Sequence, residues 1–112
     1  MKNKWVVEYL AEAAHDLETL DNSQRLIVRK AIEKVKQNPL PFFDGGYGKP
    51  LGNKNGLNLT GFLKIKLVAA EIRIVYKLVK QDDKMIIVVI GVREDDEVYY
   101  IAKKRATDHG LT

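Results

Sequence analysis

The chain has 112 residues, enough for one domain with a single hydrophobic core, and its hydrophobic fraction of 46% excludes wholesale disorder. It contains no cysteine, which excludes disulfides, thiolate nucleophiles and cysteine-based zinc sites and fits a reducing compartment. Nineteen Lys and Arg residues against fifteen Asp and Glu residues give a net charge of +4, which alone supports nucleic-acid binding only weakly.

Two features of the sequence argue against a membrane or secreted protein. The longest apolar run, residues 85–92, is too short to span a bilayer. Glu8 interrupts the apolar residues near the N-terminus before they reach the length of a signal-peptide core. We therefore expect one cytoplasmic domain that covers residues 1–112.

The N-terminal third predicts a short strand and two helices. Residues 6–10 have strand character, and an apolar helical face follows, formed by Leu10, Ala13, Ala14 and Leu17. Asp21 can cap a second helix together with Gln24, and Pro39 stops that helix. Its apolar stripe consists of Val28, Ala31, Ile32 and Val35. Two short helices with a brief link form an antiparallel hairpin, which needs a sheet to cover.

The remainder predicts a long loop, three strands and a final helix. Proline and glycine recur throughout residues 39–58, which indicates a loop. Strands follow at residues 59–67, 71–79 and 85–93, and the last is apolar at almost every position, as in a strand buried on both faces. The acidic residues 94–97 begin a short C-terminal helix. The predicted fold class is α+β: an N-terminal helical hairpin packed on a small, mostly antiparallel twisted sheet, with that short helix at the end.

Alternation along the strands brings cationic side chains together. Lys64 and Lys66 share a face, because successive side chains of a strand point to opposite faces. If residues 68–71 form a four-residue hairpin loop, Lys66 lies directly opposite Arg73. The apolar residues then pair on the other face, as Leu67 with Ile72, Ile65 with Ile74 and Leu63 with Tyr76. A register slipped by one residue would bury Arg73, so burial selects this pairing.

The next hairpin is less determined by the sequence. If Val79 pairs with Met85, Arg73 faces Gly91, and Arg93 lies on the same face one pleat further on. Gly91 would then leave room beside Arg73 for a ligand.

A concentration of like charge on one sheet face has two interpretations. Like charges opposite one another destabilise a strand pair, and a local conflict of this kind is typical of a binding or catalytic site. A site built from lysine, arginine and the nearby Tyr99 would suit phosphate. The alternative is a solvated sheet face that is merely basic.

Four segments carry a resemblance to a known family. GFLKIKL at 61–67, IRIVY at 72–76, VIGVR at 89–93 and EVY at 97–99 together resemble the RelE-type toxins of the RelE/ParE superfamily. The likeness extends over the helical hairpin and the KPL sequence at 49–51, so it covers most of the chain. The lysine pair, the two arginines and the tyrosine are characteristic of the RelE branch, whereas ParE-type members share the fold and lack that set.

The resemblance implies an mRNA interferase that enters the ribosomal A site. Such toxins cut the bound message by attack of a ribose 2′-hydroxyl on the adjacent phosphate, with no metal or cofactor. Carried over by position, Lys64 and Lys66 match the lysine pair, Arg73 and Arg93 the arginines, and Tyr99 the tyrosine. The implied partners are the ribosome with its A-site mRNA and a cognate antitoxin, which would form a toxin–antitoxin hetero-oligomer and block the site.

Two positions depart from the family pattern. Glu71 stands where the family often has glycine, which could alter the hairpin turn. Asp95 stands where some members carry another base, which makes the rim of the site less positive.

The chemistry of the residues agrees with this assignment. Lysine, with a usual pKa near ~10.4, is a poor base at neutral pH, but neighbouring cations disfavour its charged form. One of Lys64 and Lys66 is therefore the candidate general base, and Lys66 is favoured because Arg73 lies across from it. Arg73 and Arg93 suit bidentate contact with phosphate oxygens, and Tyr99 can stack on a base or position the hydroxyl.

Parts of the sequence also fit other functions. A ParE-like toxin would poison a topoisomerase without nuclease activity, and a non-catalytic RNA-binding module would need only a basic face. The acidic residues 94–97 are more typical of a helix start than of a magnesium site. Some relatives use a C-terminal histidine, but His109 lies in a polar tail that, if unanchored, would orient a base poorly.

Overall fold

A five-stranded mixed sheet forms the centre of the molecule in the computed structural model, which describes residues 5–54, 56–92 and 94–111. Its strands are β1 (Val6–Tyr9), β2 (Lys49–Lys54), β3 (Leu57–Leu67), β4 (Ile72–Val79) and β5 (Lys84–Gly91). The helices are α1 (Ala11–Thr19), α2 (Asn22–Val35) and α3 (Asp95–Asp108), and short 3-10 turns lie at Phe42–Asp44 and Lys80–Asp82. No helix in these described ranges is long and apolar enough to cross a membrane.

The strand order is β1-β5-β4-β3-β2. β1 runs parallel to β5, and the other three pairings are antiparallel, so the prediction of a mostly antiparallel sheet is confirmed. The residues of β5 from Met85 to Ile90 are all buried, because helices cover both faces of this strand. The predicted burial of the last strand on both faces is thus also confirmed.

The helical hairpin forms as the sequence indicates. Asp21 accepts a hydrogen bond from the Gln24 backbone N–H at 2.8 Å, and the Gln24 side chain accepts one from the Asp21 N–H, so the capping box is complete. α2 ends at Val35, before Pro39. α1 and α2 pack on one face of the sheet through buried residues that include Ala13, Leu17, Val28, Ile32 and Val35.

The C-terminal helix differs from the prediction in length and importance. α3 has 14 residues rather than forming a short helix, and it covers the sheet face opposite the hairpin. Val98, Tyr99, Ala102 and Ala106 pack there against Val75, Val88 and Val89. A face this apolar needs a cover, and the hairpin cannot reach it.

The prediction of a continuous loop over residues 39–58 is wrong. β2 lies inside it and pairs with β3, which begins at Leu57 rather than at residue 59. Pro50 is tolerated because β2 is an edge strand, and the register shifts between Pro50 and Gly52. Proline and glycine therefore mark an irregular edge strand here as well as turns.

The register of β3 and β4 is the predicted one. Leu67 pairs with Ile72, Ile65 with Ile74, and Leu63 with Tyr76, which places Lys66 opposite Arg73. Residues 68–71 form the hairpin turn. Apolar burial against α1 and α2 therefore fixes the pairing that brings two cations together.

The register of β4 and β5 differs from the prediction in the half near the turn that joins them. Val79 pairs with Lys84 and not with Met85, but a shift of one residue between Val75 and Tyr76 restores the predicted pair of Arg73 with Gly91. The expected room beside Gly91 is absent. A Cβ atom at Gly91 would lie 2.8 Å from Val98 Cγ2. The absence of a side chain at Gly91 therefore lets α3 pack closely on the strand and does not leave space for a ligand.

We predict that Glu71→Gly stabilises the protein. Glu71 has a φ of 56°, in the left-handed region that disfavours residues with a Cβ. Relief of that conformation, less the greater flexibility of glycine in the unfolded chain, should raise the free energy of unfolding by about 0.5–1 kcal/mol.

Urea unfolding measures this change, and Asp83→Gly is the matched control. Asp83 also has a positive φ, of 53°, but aspartate tolerates that region better than glutamate. The gain at Asp83 should therefore be the smaller one. Equal losses at both positions would show that neither turn is strained.

Candidate functional site

The β3–β4 hairpin places Lys64, Lys66 and Arg73 on the sheet face that α3 covers, and we call these three residues the cationic cluster. Lys66 and Arg73 are a directly opposed pair, and Lys64 lies two residues before Lys66 on β3. The side chains of Lys66 and Arg73 are 38% and 19% exposed, so solvent screens their repulsion only in part.

Asp95 lies among these cations, in the first turn of α3. Its carboxylate accepts a hydrogen bond from Arg73 Nε through Oδ1, and Oδ2 lies 3.5 Å from Lys66 Nζ. The sequence placed Asp95 only at the rim of the site. In the structure it is the shared counter-ion of Lys66 and Arg73, which explains how the sheet accommodates two opposed cations.

The environment of Asp95 changes the acidity of its carboxyl group. Partial burial opposes ionisation, but the hydrogen bond from Arg73 and the charges of Arg73, Lys66 and Lys64 together outweigh it and lower the pKa of Asp95. Asp95 is therefore a carboxylate at neutral pH, and it presents the cluster with a stable anion.

Tyr99 follows Asp95 by one turn of α3 and is only 3% exposed. Its hydroxyl oxygen accepts a hydrogen bond from Lys64 Nζ at 2.9 Å, and Lys64 Nζ also lies 5.5 Å from the ring centroid. Burial, with the nearby charge of Asp95, raises the pKa of Tyr99, so the phenol stays protonated. The structure thus buries the Tyr99 ring and joins its hydroxyl to Lys64, while the predicted roles of Tyr99 in RNA binding stay predictions.

The sequence also pointed to Arg93 and His109. Arg93, predicted to join the cluster, falls outside the described residues. His109 ends α3 rather than lying in an unanchored tail, and its Nε2 lies 2.9 Å from a carboxylate oxygen of Glu12 on α1. His109 is thus at the end of α3 opposite to Asp95, away from the cationic cluster.

A salt bridge that the sequence did not reveal holds α3 in place. Arg105 donates hydrogen bonds to both carboxylate oxygens of Asp16 on α1, at 2.6 and 3.1 Å. Asp16 accepts the Ile90 backbone N–H at 3.0 Å, and Arg105 donates to the Val88 carbonyl at 3.0 Å. These side chains satisfy backbone groups of β5 beyond Ile87, where the pairing with β1 ends. No periodicity in the sequence could have identified the pair.

We predict that Asp95→Asn lowers stability at neutral pH and that this loss shrinks in acid. Because the folded-state pKa of Asp95 is depressed, its contribution is present above the unfolded value of ~3.9 and is lost as the pH falls through the folded value. The loss at pH 7 should be about 1 kcal/mol, the upper end for partly exposed ion pairs.

Urea unfolding at neutral and acidic pH tests this expectation. Asp108→Asn, which breaks an exposed pair with Lys104 at the other end of α3, is the control and should change stability less. A loss at Asp95 that is independent of pH would mean that its charge does not stabilise the fold.

Comparisons of the whole chain with known proteins give a clear result for the fold. No family sequence model and no curated protein sequence matches the chain. Among solved structures, the isolated RelE toxin of E. coli is similar over 90% of this chain and 97% of its own, with 22% identity and a TM-score of 0.66.

Two toxin–antitoxin complexes also contain similar chains. A chain of the intact E. coli RelBE complex matches 80% of this chain and 98% of its own at 19% identity and a TM-score of 0.61. A chain of the RelBE2 complex from Mycobacterium tuberculosis matches 80% and 98% at 21% identity and a TM-score of 0.62. The fold implied by the sequence resemblance is confirmed: this chain has the fold of the RelE toxins.

Proposed function

We propose that this chain is the toxin of a type II toxin–antitoxin pair and that it cleaves mRNA in the ribosomal A site. The observation that carries the proposal is the cationic cluster in the fold of RelE toxins: Lys66 and Arg73 contact the Asp95 carboxylate, and Lys64 contacts Tyr99 one turn further along α3. Attack by a 2′-hydroxyl builds up negative charge on phosphorus, and clustered cations stabilise such charge. A ParE-like toxin or a simple RNA-binding module would not require this set.

In this proposal Asp95 holds the position of the phosphate in the free protein. A carboxylate and a phosphate oxygen both accept charge-assisted hydrogen bonds from guanidinium and ammonium groups. RNA would displace Asp95 and take over the contacts of Arg73 and Lys66. The cations balance the phosphate charge, so the reaction needs no metal ion.

The neighbours of the two lysines favour different roles. Lys66 Nζ lies 3.5 Å from the Asp95 carboxylate, a contact that a phosphate oxygen can take over. The hydrogen-bond partner of Lys64 in the described structure is the neutral phenol of Tyr99. We therefore assign the general base to Lys64 rather than to Lys66, which the sequence favoured, and we assign Lys66 and Arg73 to the phosphate.

The reaction then proceeds by a balanced in-line displacement. As general base, Lys64 takes the proton of the 2′-hydroxyl, whose oxygen attacks the adjacent phosphorus. A bond forms between the 2′-oxygen and phosphorus, and the bond from phosphorus to the 5′-oxygen breaks, which leaves a cyclic phosphate. The departing 5′-oxygen must receive a proton, and Arg93, matched by sequence to the second family arginine, is the candidate residue for this end of the reaction.

The partners in this proposal are a cognate antitoxin and the ribosome. The similar chains from E. coli and Mycobacterium tuberculosis occur in toxin–antitoxin complexes, which supports an antitoxin for this chain as well. An antitoxin that covers the cationic cluster would block RNA. A small reading frame beside this one that encodes an acidic or DNA-binding protein would be consistent with such a pair.

We predict that induced expression arrests growth and cuts messages inside translated frames. The ribosome holds the message in position as a single strand, so RNA without ribosomes should be cut little. Mapping of mRNA 5′ ends before and after induction measures this.

The control is the Lys64→Arg variant, expressed to the same level. Uniform cutting of free RNA would identify an ordinary ribonuclease instead. Growth arrest with DNA breaks linked to topoisomerase, and with intact mRNA, would support the ParE-like alternative.

We predict that Lys64→Arg and Lys66→Arg differ in effect. Arginine keeps its proton at neutral pH, so Lys64→Arg should reduce single-turnover cleavage by at least ~10²-fold. Lys66→Arg keeps the charge that contacts phosphate and should keep most of the activity. Cleavage of mRNA in programmed ribosomes measures both rates.

Binding to the same ribosomes must be measured alongside the rates, and it should survive both changes. If both variants cut at rates near that of the unchanged protein, no lysine is the base and the site acts through charge alone. If only Lys66→Arg is inactive, the two roles are reversed.

A further inference from the structure

A second cationic feature lies beside the cationic cluster. α2, the loop before β2 and the end of β3 enclose a groove of about 310 Å³. Four lysines line it, namely Lys34, Lys49, Lys64 and Lys66, together with Tyr47. We call this feature the lysine groove. Two of its lysines, Lys64 and Lys66, also belong to the cationic cluster, so the two features are continuous.

The groove exists because β2 is shorter than its neighbour. The pairing of β2 with β3 begins at Lys49 opposite Lys64. The end of β3, Ile65 to Leu67, therefore has β4 on one side and no described strand on the other. Apolar residues also line the groove, among them Ala31 and Val35 of α2 and Ile65 and Leu67 of β3.

The loop that carries Tyr47 is held in place by backbone and side-chain contacts. The Tyr47 N–H donates to the Asn38 carbonyl at 2.9 Å, and the Gly48 N–H donates to the Leu40 carbonyl at 3.0 Å. A Cβ atom at Gly48 would lie 2.3 Å from the buried Tyr76 hydroxyl, which shows how closely the loop packs on the sheet. The wall of the groove is therefore formed before any ligand arrives.

The Tyr47 ring has a cationic neighbour but remains accessible to solvent. Lys34 Nζ lies 5.3 Å from the centroid of its ring, and 51% of the residue remains exposed. An exposed aromatic ring with cations around it is the arrangement on which single-stranded nucleic acids stack their bases. None of the described residues that line the groove is acidic.

We propose that the lysine groove binds the single-stranded RNA next to the scissile phosphate, with one base stacked on Tyr47. This inference rests on the proposed function, because it assigns the neighbouring phosphate to the cationic cluster. Lys34 and Lys49 contact the backbone of the flanking nucleotides, and Lys64 and Lys66 connect that backbone to the site of cleavage. The continuity of the groove with the cationic cluster favours RNA over an acidic protein segment.

The test uses a labelled single-stranded oligonucleotide of about eight nucleotides with 2′-O-methyl groups, which cannot be cleaved, and the full chain without ribosomes. Fluorescence anisotropy at low salt gives the dissociation constant. Tyr47→Ala should weaken binding about tenfold, whereas Tyr47→Phe should bind within about twofold of the unchanged protein, because it keeps the ring. Lys34→Gln and Lys49→Gln should each reduce the salt dependence, by a slope of about 0.7 per lost phosphate contact.

Phe43→Ala is the matched control. Phe43 is an exposed aromatic residue of the same loop, but it lines a different cavity, so its removal should leave RNA binding unchanged. Thermal unfolding followed by circular dichroism should show that Tyr47→Ala remains folded.

The outcomes separate this inference from the proposed function. Undiminished binding by Tyr47→Ala, or no measurable binding by the unchanged protein, overturns the proposal that the lysine groove binds RNA. The same holds if a labelled acidic peptide of equal charge binds as tightly and loses affinity in Tyr47→Ala while RNA does not, since the groove would then serve a protein. Because this oligonucleotide cannot be cut, failure of ribosome-dependent cleavage leaves the binding result intact.

Discussion

The opposition of Lys66 and Arg73 across β3 and β4 is the constraint on which the rest of the structure depends. Apolar side chains on the other face of the two strands, among them Leu63, Ile72 and Ile74, are buried beneath α1 and α2. A slip of one residue would bury Arg73 in that core, so the register cannot relax to separate the charges. The repulsion has to be balanced by another part of the chain.

α3 provides that balance through Asp95. The helix is held at its other end by Arg105, whose side chain pairs with Asp16 and with the backbone of β5. Both charged groups of this salt bridge are less than one-fifth exposed, so removal of one partner would leave the other poorly solvated. The hairpin, the sheet and α3 are thus linked through charged groups on both sides of β5, and the position of Asp95 follows from the docking of the whole helix.

An internal counter-ion has a consequence for any anionic ligand. The net binding free energy of RNA at the cationic cluster is only the difference between two sets of contacts: those that RNA makes with Lys66 and Arg73, and those that Asp95 already makes with them. On the proposed function, isolated RNA would bind the cationic cluster weakly, and a ribosome that holds the message in position would supply what the cluster alone lacks. Lys34 and Lys49 of the lysine groove would add affinity from flanking nucleotides, whereas Lys66, which also lines the groove, is paired with Asp95. This division fits a toxin whose target is a held message rather than free RNA.

The sequence by itself determined the parts of this protein that depend on neighbours close along the chain. The capping box of Asp21 and Gln24 spans three residues, and the register of Lys66 with Arg73 follows from a four-residue turn and the alternation around it. Only the tertiary structure decided the rest. Pro50 lies in a strand because β2 is at an edge of the sheet. Counting from the turn misplaced the pairing of Val79, and a one-residue shift beside Val75 is the reason that Arg73 still lies opposite Gly91. Asp95 meets Arg73 across 22 residues, and Asp16 meets Arg105 across 89, because α3 covers the one apolar sheet face that the hairpin leaves open. Local patterns record which face of an element is apolar, but not which other element will bury it.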